Sequence, residues 1–513
     1  YALSRLGAVA NMVDPRYPKD YLEHAINRVE SELVIASTAT GDSLKNAKQK
    51  TSAKEIIMAA PGLSVGLKAI LTDKELRENA KNMTTTDFAK SCNSWRRFLK
   101  DGKQTKDIDF PEYEPDLTVA MVGTGGTTGT PKLVELTNDN INSAVFQCMN
   151  ANFNFQREHT WYDIMPPFIA FGIVDGLHLP LSKGMKVILE PQPSPAKMIK
   201  VLTNNIVNHQ ACGPNFYTET KDDPRLKNAD LTQLYSPILG GKNINPKNEI
   251  EVNQALKKQG CPSRLRVGYG LTECAGAASA PGTDDTALPQ SCGATLPEEI
   301  VSTFRPIQNE DGTISYQELP YIDVNYDGPI TENMSGELWI SGPNVMKGYY
   351  KNEEETNRVL IKHDGRVWLR TGDLGYVTSN GLVYVIGRSK ELIIRFTGFK
   401  VPPKEIEDII LADPAVDDCK VVGFENPHIT NDQLPKVYYT LTKDIKNPNI
   451  KEIESRLALL CEAKLPDYKW PVAFECLEKM PLTPIAKIDI KKLQADATEK
   501  AQTVSKQLCL RIK

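Results

Sequence analysis

GTGGTTGTPK, Gly123–Lys132, is the stretch on which the reading of this chain turns. It follows an apolar run, LTVAMV at Leu117–Val122, and so leaves the end of a strand. Its four glycines let successive amides turn towards one anion without side-chain obstruction. Thr124, Thr127, Thr128 and Thr130 add hydroxyl donors, and Lys132 adds a mobile positive charge. Together these groups suit the β- and γ-phosphates of a nucleotide. For the segment taken alone, the alternative is a glycine-rich hairpin. The pattern departs from the phosphate loop GxxxxGK[ST], because Lys132 follows Pro131 and no Ser or Thr follows the lysine. The chain therefore does not read as an ordinary P-loop kinase or GTPase.

Working outward, apolar strands alternate with amphipathic segments. AVANMVDP follows a helical start at Tyr1–Leu6, and SELVIA, MKVILE and Leu265–Val267 continue the pattern. Strands separated by helix-length segments indicate an α/β core with substantial parallel pairing. Residues 40–110 are rich in lysine and polar groups and are expected to form a peripheral helical insert. Beyond about Val345 the texture changes. Glycine turns separate the short strands DGRVWL, GLVYVIG and ELIIRF, then a helix is expected at 404–412, a strand at CKVVGF, a helix at 450–463 and a strand at AFECLE. The expectation is a large N-terminal α/β domain, 1–389, with mixed and substantially parallel sheets, and a small mobile α+β domain, 390–513.

Composition excludes several classes. The 513 residues carry a formal net charge of -4 and no long basic cluster, which argues against nucleic acid. No run is long and apolar enough to span a bilayer, so no integral membrane segment is expected. The ten cysteines include no CxxC, which points to free thiols in a reducing, cytoplasmic setting. The chain begins at Tyr1 rather than methionine, and an upstream segment is expected to be missing.

Further motifs distribute the chemistry. In RVGYGLTE, Arg266–Glu273, Tyr269 offers a flat face for adenine and Gly270 permits close approach. Thr272 can donate to the α-phosphate and Glu273 can supply the oxygen ligand that Mg2+ prefers, with a core Tyr269 and a surface carboxylate at Glu273 as the alternative. Asp373, between the glycines of RTGDLGY (Arg370–Tyr376), is read as accepting from two ribose hydroxyls. Arg388, in GRSKELI (Gly387–Ile393), is read as reaching ribose and phosphate from the next turn, with a structural Asp–Arg pair as the alternative. Pro481 and Pro484 constrain a loop that presents Lys487.

These segments, with SGELWISGPNVMKGYY (Ser335–Tyr350), GFKVPPKEIE (Gly398–Glu407) and PLTPIAKIDIKKL (Pro481–Leu493), closely resemble the signatures of the ANL superfamily of adenylate-forming enzymes. That superfamily contains acyl-CoA synthetases, peptide-synthetase adenylation domains and beetle luciferases. The resemblance runs in order from about Tyr1 to Leu493, without the superfamily's usual first portion. It implies ATP, Mg2+ and coenzyme A as cofactors, and an ATP site at Thr124, Gly125, Gly126, Thr127, Thr128, Gly129, Lys132, Gly241, Lys242, Tyr269, Gly270, Thr272, Asp373 and Arg388. Lys487, Thr272 and Glu273 are implied as catalytic, with Glu273 holding the metal. Phe168, Ile169, Gly241 and Gly268 are implied to line an acyl pocket. Lys390 is implied as a hinge about which the small domain turns between two steps, bringing Gly398, Phe399 and Lys400 towards coenzyme A.

The chain also departs from the pattern. Lys242 and Asn243 follow Gly240 and Gly241 where small residues are commoner, and Ala486 replaces the glycine before the catalytic lysine. Ile169, in MPPFIAFGIVDG, stands where many members have histidine, which favours an uncharged acyl group. An amino-acid substrate is not expected, because no aspartate follows Phe168 to pair with its ammonium. The pocket is read from Phe168, Phe171 and Phe216, with core packing as the alternative for all three. The expected reaction is ATP-dependent activation of a carboxylic acid, a small-molecule partner of unassigned chain length, to acyl-AMP with release of pyrophosphate, then transfer to coenzyme A. The alternatives are loading of a carrier protein and a non-catalytic nucleotide sensor.

Overall fold

The computed structural model describes all residues except 38–39, 41–42, 60–91, 107, 125–131, 191, 242–243, 245, 283–289, 329, 398, 443–444, 446, 483–487 and 502–513. Contacts divide the chain into two units, Tyr1–Gly123 with Glu135–Asn138, and Thr124–Val134 with Asp139–Lys513.

In the first unit, the strands Leu33–Ser37, Glu55–Ala59 and Asn93–Ser94 pair in parallel. Helix Lys19–Arg28 buries Leu22 and Ile26 in a core with Ala36, Ile56 and Met58. Strands Ala10–Met12 and Thr118–Gly123 also run parallel, with Ala10 opposite Ala120. The expected helical insert at 40–110 is thus corrected for its described residues. They hold the short helices Ala47–Lys50 and Trp95–Gly102, but also two strands of this sheet. Ile56, Ile57 and Met58 are a short apolar run that the surrounding lysines outweigh in composition, yet all three are buried.

The second unit is built on a five-stranded parallel sheet. Its strands, in spatial order, are Arg266–Val267, Ser236–Leu239, His209–Cys212, Thr160–Asp163 and Lys186–Leu189. Counted along the chain this is order 2-1-3-4-5, read from the other edge. Helices Pro195–Asn204, Pro214–Thr220 and Pro246–Lys258 cross between the strands. They bury Met198, Ile199, Leu202, Tyr217, Val252 and Leu256 in one core with Tyr162 and Leu239. In such a sheet, loops at the carboxyl ends of the strands gather on one edge, where ligands bind.

An antiparallel sheet follows, containing Ile300–Gln308, Ile314–Glu318, Gly336–Ser341, Leu360–His363, Arg366–Val377 and Val383–Arg388. Phe304, Trp339 and Trp368 pack at its centre, with the Phe304 and Trp339 rings 4.2 Å apart. Towards the C-terminus, Val416–Glu425 pairs antiparallel with Gln433–Leu441, which pairs in parallel with Ala473–Cys476. Successive strand residues point to opposite faces. Val421, Val437 and Tyr439 accordingly pack on helices Pro403–Ile410 and Ile450–Lys464, while Val422, Phe424 and Tyr438 pack on helix Ile490–Lys500. This chain is mixed α/β, with a large N-terminal region and a small C-terminal α+β region. Among the described residues no helix is long and apolar enough to cross a membrane.

Candidate active site

Three loops meet at the carboxyl edge of the parallel sheet. The first, after Thr160–Asp163, carries Phe168, Ile169 and Phe171. The second begins at Gly240, whose amide donates to the Cys212 carbonyl at 3.1 Å, and continues to Gly241. The third begins at Gly268, whose amide donates to the Leu239 carbonyl at 2.8 Å. Phe171 lies so close to Gly240 that a Cβ there would be 2.8 Å from its ring. The proposed acyl-pocket residues Phe168, Ile169, Gly241 and Gly268 therefore lie on loops of one sheet edge. Phe216, on helix Pro214–Thr220 directly after the strand His209–Cys212, is partly buried and packs against the core of this sheet.

From Gly268 the chain makes a tight antiparallel turn, Tyr269–Leu271 against Gly276–Ala280. Gly270 is required there, since a Cβ would sit 1.9 Å from the Gly276 carbonyl oxygen. The turn sends Tyr269 and Glu273 to two different partners. The Tyr269 hydroxyl donates to Asp373 Oδ2 at 2.8 Å. Arg388 Nε lies 2.7 Å from Asp373 Oδ1, with the Asp373 side chain 5% exposed and that of Arg388 53%. Burial raises the Asp373 pKa, opposed by the Arg388 charge and the Tyr269 hydrogen bond.

This geometry corrects the expectation that Asp373 lies between turn glycines, while Arg388 does end its strand and lead into the turn Ser389–Glu391. Arg366–Val377 is one continuous strand, and Asp373 stands opposite Arg388 across an antiparallel pair. Gly372 adopts φ +71° and a register shift falls between Leu374 and Gly375, so the glycines bend the strand without ending it. The Asp–Arg pair weighed as an alternative is formed.

Glu273 Oε1 accepts from the Tyr349 hydroxyl at 2.8 Å. Thr272, beside it, opens a single helical turn, Thr272–Cys274. Lys132 Nζ lies 4.7 Å from the centre of the Tyr349 ring and is ion-paired with Glu355. The hydrogen bond from Lys132 holds the Glu355 carboxyl below its ordinary range. Thr124 and Lys132 close the ends of the glycine–threonine loop, the Thr124 amide donating to the Lys132 carbonyl at 2.8 Å. Among the described residues no group of three or more His, Cys, Asp or Glu is arranged for a metal. A single carboxylate, with one oxygen held by a hydroxyl, still fits Mg2+. That ion keeps several waters and is commonly bound through one or two carboxylates and substrate phosphates.

Lys390 is exposed in the turn Ser389–Glu391, between the strands Val383–Arg388 and Ile393–Ile394. Phe399 is exposed and stacks on Tyr468, ring centres 4.3 Å apart, and Lys400 begins the strand Lys400–Val401. Gly125, Gly126, Thr127, Thr128, Gly129, Lys242, Gly398 and Lys487 lie outside the described residues, as does Ala486. Two partners escaped the sequence reading, Tyr349 and Glu355. Tyr349 lies within the quoted segment SGELWISGPNVMKGYY and Glu355 just beyond it, but that segment names no chemistry for either.

Two family models match this chain, "AMP-binding enzyme" over residues 1–350 and "AMP-binding enzyme C-terminal domain" over 405–487. A long-chain-fatty-acid–CoA ligase of Bacillus subtilis (strain 168) is 28% identical over 423 residues, 82% of this chain and 69% of that protein. A probable 4-coumarate–CoA ligase 1 of Dictyostelium discoideum is 26% identical over 420 residues, with the same two shares, 82% and 69%. Among solved structures, ATP-bound MatB from Rhodopseudomonas palustris superposes with a TM-score of 0.75 at 21% identity, covering 98% of this chain and 86% of that one. That last likeness is one of fold.

Proposed function

This chain belongs to the AMP-binding enzyme family, and from that premise we propose that it activates a carboxylic acid with ATP and passes the acyl group to coenzyme A. The observation that carries this reading is the reach of one turn, Tyr269–Glu273. Its first residue is bound to Asp373 and its last to Tyr349, beneath Lys132. A nucleotide laid along the turn meets an aromatic ring and a carboxylate for its nucleoside end, and a carboxylate and an ammonium for its phosphates.

In the first step the acid enters already ionised, since carboxylic acids titrate near pH 4. No general base is needed. Phe168, Ile169, Gly241 and Gly268 hold the acyl group, with Ile169 favouring an uncharged one. Asp373 accepts from the ribose hydroxyls, and Arg388 turns its donors between ribose and phosphate. Gly125, Gly126, Thr127, Thr128 and Gly129 line the polyphosphate with Thr124 and Lys132, while Lys242 follows Gly241 beside the adenine. Thr272 donates to the α-phosphate. Mg2+, held at Glu273, would neutralise charge on the phosphates as pyrophosphate departs. Lys487 bridges the attacking carboxylate and the α-phosphate, where negative charge builds.

In the second step the small domain, 390–513, turns about Lys390. Gly398, Phe399 and Lys400 then guide the thiol of coenzyme A to the acyl carbon, and AMP leaves. A fraction of a thiol is ionised near neutral pH, so no histidine is assigned as its base. Two steps at one carbon need different access and different charge, which is the physical reason for two arrangements. We place the reaction in the cytoplasm, a reading supported by the buried thiols of Cys212, Cys274 and Cys292, none of them in a disulfide. The acid is aliphatic or aromatic, in keeping with the fatty-acid and coumarate ligases among the relatives.

The test is pyrophosphate release over a panel of carboxylic acids of varied length, with and without coenzyme A. Release should require an acid and should accelerate on adding coenzyme A. Release that ignores coenzyme A would point to a carrier protein as acceptor. ATP binding without acid-dependent release would point to a sensor.

A further inference from the structure

We infer that Tyr349 is a positioning residue that ties the metal-holding end of the nucleotide site to its phosphate-holding end, its hydroxyl fixing Glu273 and its ring face fixing Lys132. The inference rests on the nucleotide-site reading above. It begins with how GYYKNEEET, Gly348–Thr356, folds. Helix Glu353–Val359 is capped by Asn352, whose side chain accepts from the Glu355 amide at 3.2 Å. In the same turn the Thr356 hydroxyl donates to the Asn352 carbonyl at 2.8 Å and accepts from the Tyr349 amide at 2.9 Å. The cap thus holds the backbone of Tyr349, and its first turn carries Glu355.

From that anchored backbone the Tyr349 side chain is 7% exposed and works at both of its surfaces. Its hydroxyl donates to Glu273 Oε1 at 2.8 Å. The electron-rich ring face attracts the Lys132 ammonium, 4.7 Å from its centre. Glu355 meets the same ammonium, and the Tyr350 amide donates to the Leu133 carbonyl at 2.8 Å, which sets the backbone next to Lys132. A carboxylate with one oxygen pinned presents the other in a fixed direction. An ammonium seated on a ring face can exchange a carboxylate for a phosphate without leaving its place. One aromatic residue therefore sets the spacing between the two charges that receive the polyphosphate.

Two substitutions separate its two surfaces. Tyr349→Phe removes the hydroxyl and keeps the ring, whereas Tyr349→Leu removes both. ATP binding should be measured calorimetrically for each variant and for the wild type, once with Mg2+ and once with EDTA. Tyr349→Phe is expected to weaken binding about tenfold with Mg2+, the scale of one hydrogen bond to a charged group, and to change it less than about twofold in EDTA. Tyr349→Leu is expected to weaken binding in both buffers, because Lys132 also loses its seat. A general structural role would move both buffers equally in Tyr349→Phe, and that result, like unchanged binding with Mg2+, overturns the inference. Tyr349→Phe carries the test alone if Tyr349→Leu does not fold. A wild type that binds ATP in neither buffer would instead overturn the nucleotide-site reading.

Discussion

The carboxyl of Asp175 is 5% exposed, and its nearest side-chain donor is a thiol, Cys148 Sγ to Oδ1 at 3.6 Å. Burial pushes its pKa up to about 7, only partly offset by that contact. In the unfolded chain an aspartate titrates near 3.9. The folded state thus favours the neutral acid. Its contribution to stability is whole below the unfolded value and is lost as pH rises through about 7. Asp175→Asn is neutral at every pH and should gain on the wild type by about 2–3 kcal/mol between pH 5 and pH 8. Urea unfolding of both proteins at the two pH values checks this, and parallel curves would show that Asp175 stays ionised in the fold. At this scale the sequence is legible where a residue type states its own chemistry. Tyr269, Glu273, Asp373 and Arg388 were all named from their motifs, and the structure gathers three of them, Tyr269 and Arg388 on Asp373, while Glu273 meets Tyr349. It is not legible where a role comes from a distant partner. Tyr349 is 76 residues from Glu273, and Glu355 is 223 residues from Lys132. The buried ion pair of Arg395 with Asp432, both side chains 0% exposed, was equally hidden. No local pattern distinguishes such an arginine from a solvated one.

Among the elements, the antiparallel turn Tyr269–Ala280 governs the site, because it aims Tyr269 and Glu273 in different directions from one short segment. Gly270→Ala puts a methyl group against backbone, which cannot yield as a flexible side chain would. The expected cost is about 1–3 kcal/mol of stability, as for other overpacked positions, together with weaker ATP binding as both partners shift. Thermal unfolding and calorimetry on the same sample check it; a variant with wild-type values in both would mean the turn relaxes freely. Elements with a clean period were read correctly: the strands within AVANMVDP, SELVIA, LTVAMV and MKVILE, helix 404–412 observed as Pro403–Ile410, and helix 450–463 observed as Ile450–Lys464, whereas the parallel strands Thr160–Asp163, His209–Cys212 and Ser236–Leu239 were not picked out. Two misreadings have physical causes. In Arg366–Val377 the glycines at 372 and 375 suggested turns, but the flanking strands supply ladder bonds on both sides and carry the chain through a bulge. In 40–110 the lysine-rich composition masked a buried strand only five residues long, Glu55–Ala59.

For the whole molecule, the sequence offered a boundary near Lys390 from a change in texture. The small region beyond it has two cores of its own, one on each face of the sheet Val416–Glu425, Gln433–Leu441 and Ala473–Cys476. A region with its own cores suits the proposed turn about Lys390 between two steps at one acyl carbon. In the proposed mechanism Lys487 belongs to the first step alone, its ammonium stabilising charge around the α-phosphate and having no task once pyrophosphate has left. The most direct test is Lys487→Ala, with both half-reactions measured on one folded preparation: pyrophosphate release from acid and ATP, and thioester yield from synthetic acyl-AMP and coenzyme A. By comparison with removing an oxyanion donor, the first step should fall by about a hundredfold to a thousandfold, or about 3–4 kcal/mol, while the second stays near the wild-type rate. A near-normal first step, or equal severe losses in both steps on folded protein, would contradict the account.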